Sequence, residues 1–289
     1  MQFRLIVDGR HGGADGAWNM AVDEALLESA MKPGAIPTLR LYHFHRPTVT
    51  FGYGQEVAQA VNEAGCRDRR VEWVRRITGG RALLHQHELT YSVAAPPFTR
   101  SVKSAYQAVT GALRSALERL GVPVDPPGAQ QEVRGVRGVR APGHLPCLAV
   151  PTGQEITAGG LKVVASAMRF RRRGFLQHGS ILWSIDRRLS KQVTGLGEQE
   201  PLTAVGLQEL DAVNAPAFGE AELVEALSSA FEELLGAPAT PGALSPEESQ
   251  RVSNLVEKYR SEGWTSRRDP GSHLVDNSEA VWLKSFRAI

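Results

Sequence analysis

The hydrophobic positions of the chain follow two periods, and each period predicts its own elements. Apolar residues recur on one face of residues 17–30 (AWNMAVDEALLESA), where Trp18 falls on the apolar face and Asp23 elsewhere, as is typical of an amphipathic helix. Further helices are predicted over roughly 101–120, 220–236 and 247–264. Short runs rich in β-branched and aromatic residues predict strands over 38–44, 48–54, 71–77, 88–94, 160–168 and 180–185.

These strands and helices mix without regular strand–helix–strand alternation. The pattern therefore favours an α+β domain with a mixed or antiparallel sheet and a small helical C-terminal tail. Residues 121–146 are rich in proline and glycine and predict a long loop, which is usually functional or disordered. A second Pro/Gly/Ala-rich segment (APATPGALSP) leads us to expect a catalytic domain over 1–236, then a linker and helical extension over 237–289.

The composition is that of a folded globular protein, with 42% hydrophobic and 22% charged residues in 289. The sequence has no run of eighteen apolar residues and no signal-peptide pattern at its start, so we expect a cytoplasmic protein without membrane contact. Two cysteines, Cys66 and Cys147, are too few for a disulfide framework and lack the companions of a zinc site. We expect no metal.

The formal net charge of +2 hides clusters of arginine, because only six of the 33 basic residues are lysine. Arginines concentrate at 67–81 and at 169–173 (RFRRR). Such clusters indicate either a surface that binds anionic partners or ordinary solvated faces. They lack the interleaved aromatic residues that stack on single-stranded nucleic acid, which argues against a nucleic-acid partner.

Residues 75–85 (RRITGGRALLH) carry the first candidate chemistry. Glycines allow backbone N–H groups to approach a bound group closely, and arginine pairs with carboxylate or phosphate, although a plain hairpin turn would explain the same letters. The segment is neither a phosphate-binding P-loop nor a dinucleotide fingerprint. The chain also lacks HExxH and GxSxG, so the metalloprotease and serine-hydrolase classes have no support.

Five further side chains are candidates on their chemistry. Cys147 ends the long loop and is either an accessible thiol or a small buried hydrophobe. Cys66 lies among charges, where neighbouring arginines could lower the pKa of its thiol, but no other candidate group converges on it, so a structural role is favoured. Lys162, in an apolar strand, either extends to solvent or is held inward for a purpose. His85 and His178 are either general bases or hydrogen-bonded structural residues.

Five sequence blocks together resemble the lipoate/biotin protein ligase superfamily, and more narrowly the cysteine-dependent octanoyltransferases related to lipoate-protein ligase A. The blocks cover most of residues 15–190 in the family's order: GAWNMAVDEALL (16–27), PTVTFGYGQ (47–55), RRITGGRALLHQHELTYSV (75–93), CLAVPTGQEITAGGLKVVASA (147–167) and LQHGSILWSID (176–186). The resemblance implies the class II aminoacyl-tRNA synthetase/biotin synthetase-like fold, in which a mixed sheet carries a tunnel for the acyl chain.

The resemblance also implies roles for individual residues. Cys147 would be the nucleophile, and Lys162 would point at the reacting carbonyl. The implied substrate-binding residues are Arg75, Arg76, Thr78, Gly79, Gly80, His85, Ser166 and Ala167. Two positions depart from the ligase pattern: Arg81 replaces a third glycine, which favours a transferase, and Gln86 replaces an aspartate, which leaves the role of this edge open.

The activity implied is transfer of octanoate from octanoyl-acyl carrier protein, through a Cys147 thioester, to a lysine of a lipoyl domain or of the glycine-cleavage H protein. This is a step of lipoate biosynthesis, and it would need no cofactor and no ATP. Acidic carrier proteins would give the arginine clusters a use. Two alternatives stay open: an ATP-dependent lipoate-protein ligase acting through lipoyl-AMP, and a non-catalytic module that binds an acyl group or a nucleotide.

Overall fold

The computed structural model describes residues 2–8, 14–127, 147–149, 155–196, 200–210 and 218–267. Most of the predicted long loop and the end of the predicted C-terminal extension lie outside these residues.

Within the described residues the strands form two sheets. The strands are β1 (Phe3–Val7), β2 (Thr38–Tyr42), β3 (Thr48–Phe51), β4 (Glu72–Arg75), β5 (Leu83–His85), β6 (Glu88–Ala95), β7 (Ile156–Ala158), β8 (Leu161–Phe170), β9 (Phe175–Leu182) and β10 (Ala239–Pro241). Seven of them form a sheet in the order β10-β1-β2-β6-β9-β8-β7, and β4-β3-β5 form a smaller one. The large sheet is mixed, because β10, β1 and β2 are parallel and the other neighbours antiparallel.

The described helices are α1 (Gly16–Ala30), α2 (Val57–Ala60), α3 (Glu63–Arg69), α4 (Val102–Arg119), α5 (Arg187–Val193), α6 (Glu220–Leu235), α7 (Pro246–Arg260) and α8 (Glu262–Arg267). Local sequence signals set several of their ends. Ser245 and Glu248 form a capping box at the start of α7, with proline in its first turn. Gly236 ends α6 in the left-handed conformation. None of these helices is long and apolar enough to cross a membrane.

Helices cover both faces of the large sheet. Successive residues of a strand point to opposite faces, and Phe175 and Leu176 of β9 accordingly belong to different hydrophobic clusters. The cluster around Phe175 contains the buried faces of α4 and α6. The cluster around Leu176 contains α1, α7 and Trp264 of α8. Residues 237–267 therefore pack against the N-terminal helix and add β10 to the edge of the sheet.

The mixed α+β architecture predicted from the pattern is confirmed, with differences in detail. The strand expected over 180–185 is β9, which starts earlier and ends at Leu182. The helix expected over 247–264 is interrupted at Ser261, whose hydroxyl accepts a hydrogen bond from the Trp264 N–H at 3.2 Å and starts α8. Strands β5, β7 and β10 are three residues long, too short to show a period.

The burial of α1 differs from the prediction. Asp23, expected away from the apolar face, is 0% exposed, whereas Trp18 is 37% exposed. The reason is that α1 lies between the sheet and α7, so that it is buried on two sides.

Candidate active site

The turn at Thr78–Gly80 is held tightly against the end of β3. Gly80 has a φ of +85°, a conformation that favours glycine, and the Tyr53 N–H donates to the Thr78 carbonyl at 2.8 Å. A Cβ on Gly52 would lie 2.1 Å from the Gly80 oxygen. The two glycines thus let two backbone segments meet beside the site.

Cys147 opens a short 3₁₀ turn, Cys147–Ala149, that is tied at both ends. The Cys147 N–H donates to the Ala82 carbonyl at 2.7 Å, and the Thr203 N–H donates to the Leu148 carbonyl at 2.6 Å. The side chain of Cys147 is half-buried and lines a narrow cavity. Backbone bonds, rather than side-chain packing alone, therefore fix the position of the thiol.

Lys162 is turned inward toward this thiol. Its side chain is 1% exposed, and its Nζ lies 3.6 Å from Cys147 Sγ and 2.5 Å from Glu155 Oε1. Nζ also donates to the Cys147 carbonyl. Burial disfavours the charged amine, but attraction to Cys147 and Glu155 outweighs it and raises the pKa of Lys162 above its usual value. Lys162 is therefore a buried cation beside a sulfur.

The cavity extends from Cys147 across the large sheet. Three of its lining residues, Ala165 of β8, Thr90 of β6 and Tyr42 of β2, lie in one register row of the sheet, in which Ser180 is the β9 member. Three strand spacings amount to about 14 Å. The residues that line the cavity are Met20, Tyr42, Thr50, Arg76, Gly80, Arg81, Leu83, His85, Thr90, Cys147, Ala165, Ser166, Ala167, His178 and Gly179.

A buried network centred on His178 supports one side of this cavity. His178 Nδ1 lies 2.7 Å from Asp23 Oδ2, and its Nε2 lies 2.7 Å from Thr78 Oγ1. Arg40 and Tyr42 also bond to Asp23. Burial lowers the pKa of His178, so the imidazole is neutral. Burial would raise the pKa of Asp23, but His178 and Arg40 outweigh it and lower that pKa.

His85 and Arg76 form a second network on the other side. His85 Nε2 lies 2.8 Å from Thr50 Oγ1, and its Nδ1 lies 3.0 Å from Glu88 Oε1. Arg76 donates to Thr50 Oγ1 at 2.7 Å and to the Gly79 carbonyl at 2.9 Å. Burial lowers the pKa of Arg76 to about 10. Both histidines are held by hydrogen bonds on each ring nitrogen, as a structural role requires.

The structure brings most of the predicted site residues to this cavity. Besides Cys147, those that line it are Arg76, Gly80, His85, Ser166 and Ala167. Lys162 reaches the cavity through its contact with Cys147. Thr78 bonds to His178, which lines the cavity, and the Gly79 carbonyl accepts a hydrogen bond from Arg76, which also lines it.

Arg75, by contrast, does not line the cavity, and this expectation is corrected. Its guanidinium donates to the carbonyls of Tyr53 at 2.9 Å and Gln55 at 2.6 Å, and it also donates to Trp264 and Thr265 of α8. Neighbouring residues of an extended chain point to opposite sides, so Arg75 and Arg76 separate. Arg75 connects the C-terminal helix to the chain that follows β3.

The arginines near Cys66 do not activate its thiol. It is 0% exposed in α3, and its Sγ lies 3.5 Å from the Val193 carbonyl oxygen. Burial and the charge of Glu63 raise the pKa of its thiol to about 12, against the weaker effect of Arg67. Cys66 is therefore a structural thiol.

Two functional candidates were missed from the sequence, Glu155 and Asp23. Glu155 precedes β7, and the pairing of Thr157 with Lys162 brings it beside the lysine. The Gly159-Gly160 pair is a hairpin signal that would have allowed this pairing to be inferred. Asp23 carries no such signal, because its partners Tyr42 and His178 lie on strands that are distant in the sequence.

Residues 15–231 match the model of the lipoyl protein ligase A/B catalytic domain. The chain belongs to this family. A relative named octanoyltransferase LipM from Kyrpidia tusciae is 35% identical over 282 residues, covering 92% of this chain and 99% of the relative. Another of that name, from Moorella thermoacetica, is 32% identical, covering 89% of this chain and 96% of the relative. These relatives identify the chain as an acyltransferase with octanoyltransferase activity in lipoate biosynthesis.

A solved structure shares the fold. It is the bi-partite lipoate protein ligase, with its E2 lipoyl domain, from Thermoplasma acidophilum. The TM-score is 0.74 at 20% identity, with 95% of this chain and 100% of that chain covered. Across the described part of this chain, no group of three or more His, Cys, Asp and Glu side chains is placed to hold a metal ion.

Proposed function

We propose that this octanoyltransferase takes its acyl group from octanoyl-acyl carrier protein, holds it as a thioester on Cys147, and passes it to a lysine of a lipoyl domain or of the glycine-cleavage H protein. The observation that carries the proposal is the 3.6 Å distance between Cys147 Sγ and Lys162 Nζ at the cavity. A thiol beside a buried cation is the arrangement expected of a cysteine nucleophile.

In the first half-reaction the Cys147 thiolate attacks the carbonyl carbon of the donor thioester. A tetrahedral oxyanion forms, and the Lys162 ammonium stabilises both the thiolate and this oxyanion. The carbon–sulfur bond to the donor then breaks, and the carrier's thiolate leaves and takes up a proton. The octanoyl group remains on Cys147.

In the second half-reaction the neutral ε-amine of the acceptor lysine attacks the same carbon. The new carbon–nitrogen bond gives an amide, and the bond to Cys147 breaks. Conversion of a thioester to an amide is downhill, so the proposed reaction uses no ATP and no cofactor.

The register row that the cavity follows is long enough for an eight-carbon acyl group to lie along it. Carbon–carbon bonds of about 1.5 Å give an extended octanoyl chain of at most about 10 Å. The register row from Ala165 to Tyr42 spans about 14 Å, enough for this chain. We place the reaction in the reducing cytoplasm, where Cys147 stays a thiol.

The test is intact-protein mass spectrometry after incubation with octanoyl-acyl carrier protein. We expect one octanoyl adduct, present in Cys66→Ala and lost in Cys147→Ala, with subsequent transfer to a lipoyl domain. Full transfer activity in Cys147→Ser would reject the thioester mechanism and favour an ATP-dependent ligase. Tight retention of octanoate without any adduct would favour a binding module.

A further inference from the structure

The Lys162 ammonium is held by a carboxylate to which neither the motif nor the proposed reaction assigns a role. Glu155 Oε1 lies 2.5 Å from Lys162 Nζ, and the two side chains are 7% and 1% exposed. A buried ion pair strongly favours the charged form of both partners, and removing one partner leaves an uncompensated buried charge. Glu155 therefore affects whether Lys162 carries its proton.

The hairpin between β7 and β8 fixes this pair. Gly159 and Gly160 have φ values of +58° and +79°, which turn the chain back on itself. Thr157 then pairs with Lys162 across the ladder, and Glu155 lies just ahead of β7. The backbone of this hairpin thus sets the position of the Glu155 carboxylate, just as backbone hydrogen bonds set the position of Cys147.

The charged and titratable groups that face the thiol and the ammonium come from several elements. Arg76, from the loop after β4, contributes a positive charge to the surroundings of Cys147. Tyr106 of α4 also faces the cluster, but burial, together with nearby Tyr91 and Glu155, raises its pKa well above the usual value and keeps it neutral. Arg81, which lines the same cavity, adds a further positive charge, so Glu155 is the carboxylate that directly contacts Lys162 among several cations.

From this geometry we propose that Glu155 is a positioning residue that keeps Lys162 protonated next to Cys147 in both half-reactions. The inference rests on the proposed function, because it concerns the state of the enzyme after Cys147 is acylated. Acylation removes the thiolate charge that faces Lys162. Glu155 then remains as its anionic partner, so Lys162 does not become the base that accepts the proton of the incoming amine.

In the second half-reaction the acceptor amine must lose one proton. The amine nitrogen forms its bond to the carbonyl carbon, the carbon–sulfur bond breaks, and the proton leaves the nitrogen with the departing Cys147 sulfur. The products are the amide and the Cys147 thiol. Lys162 serves throughout as the cation that stabilises the tetrahedral oxyanion.

The first test measures the pH dependence of Cys147 alkylation by iodoacetamide in the unacylated enzyme. Glu155→Gln keeps the shape of the side chain but removes its negative charge. We expect the midpoint of the alkylation rate to move down by about one pH unit, because an anion that opposes the thiolate is gone. Glu233→Gln, which removes the carboxylate of an exposed ion pair with Arg119, is the matched control and should not shift it.

The second test measures release of octanoate from preformed octanoyl-enzyme to hydroxylamine, a small amine that is uncharged at neutral pH. The wild-type rate should stay level as pH rises from 7 to 9, because Lys162 remains charged. In Glu155→Gln the rate should fall over this range, as the ammonium ionises about one to three units lower. Glu155→Asp should restore much of the wild-type profile.

The outcomes separate the two proposals. If the wild-type enzyme forms no adduct, the proposed function fails, and an alkylation midpoint unchanged in Glu155→Gln would reject the role of Glu155 independently. If the adduct forms but the profiles of wild type and Glu155→Gln superimpose, only the role of Glu155 is rejected. A wild-type release rate that climbs with pH would identify Lys162 as a base and overturn the inference without any substitution.

Discussion

Burying the Lys162 side chain removes its ammonium from water, which is costly unless other groups replace the lost hydration. The Cys147 carbonyl and the Glu155 carboxylate supply that replacement. The ammonium is therefore in place before substrate arrives, and no reorganisation is needed when negative charge develops on the thioester oxygen. One residue thus links the stability of the β7–β8 hairpin to the chemistry at Cys147.

Replacing this cation should affect the transition state more than substrate binding. For Lys162→Met we expect kcat to fall by about 10²-fold or more while KM changes little, since an oxyanion exists only during the reaction. Steady-state kinetics with octanoyl-acyl carrier protein measures both constants. Lys103→Met, at an exposed position of α4, is the control. An unchanged kcat with a raised KM would make Lys162 a binding residue.

The buried His178 makes stability depend on pH. Its pKa in the folded protein is lowered by burial, so as pH falls the unfolded chain takes up a proton near pH 6.5 before the folded protein does. The free energy of unfolding should therefore be fully retained above about pH 7 and decrease as the pH falls below about 6.5. Urea denaturation of wild type and His178→Gln should show a shallower pH slope in the variant. Parallel slopes would contradict this assignment.

Sequence patterns could locate Cys147 and Lys162, because a thiol at a loop end and a lysine in an apolar strand are unusual in themselves. Glu155 could be placed beside Lys162 only by way of the Gly159-Gly160 hairpin signal, and Asp23 carried no signal at all. Acidic residues are common at surfaces, and whether one is buried depends on which element packs over it. Arg75 and Arg76 show the same limit: adjacent letters suggest a shared site, whereas the extended backbone separates their side chains.

Among the elements, the loops that end β3 and follow β4 pack closely against each other beside the site. An alanine at Gly52 would place its Cβ 2.1 Å from the Gly80 oxygen, so one loop must move. We expect Gly52→Ala to destabilise the protein by about 1–3 kcal/mol, seen as a Tm several degrees lower, and to reduce octanoyl transfer. Gly54→Ala, with no atom within 4 Å of the added carbon, should change neither.

The hydrophobic period of the sequence predicts the long helices and strands, but it does not predict the short ones. Helix α4 carries apolar residues at helical spacing over 18 residues, and the sequence predicts its ends to within a residue or two. Strand β7 has three residues, yet it delivers Glu155 to the site. Three residues are too few to show an alternating pattern, so the sequence signal for β7 is the Gly159-Gly160 turn that pairs it with β8.

For the whole molecule, surface charge provides a test of partner recognition. Arg172 and Arg173 are exposed between β8 and β9, where they could attract an acidic carrier protein. We expect kcat/KM for octanoyl-acyl carrier protein to fall steeply as salt rises past about 0.1 M. Turnover of a small neutral octanoyl thioester should barely change, which controls for effects of salt on the site itself.

The substitutions Arg172→Glu and Arg173→Glu should then lower kcat/KM for the carrier several-fold at low salt and leave the small donor unaffected. Equal salt sensitivity for both donors would show that these arginines do not steer the carrier.

The bond from Arg75 to the Trp264 carbonyl joins residues that are 189 positions apart. During synthesis on the ribosome, β4 and the loops around it emerge long before α8 exists. Until that helix arrives, the Arg75 guanidinium lacks two of its carbonyl acceptors, and the chain beside the cavity lacks its final support. Such distant contacts form late in folding. A nascent chain that is halted before Trp264 should therefore not accept an octanoyl group on Cys147. The thioester would then form only after the chain has been synthesised through α8.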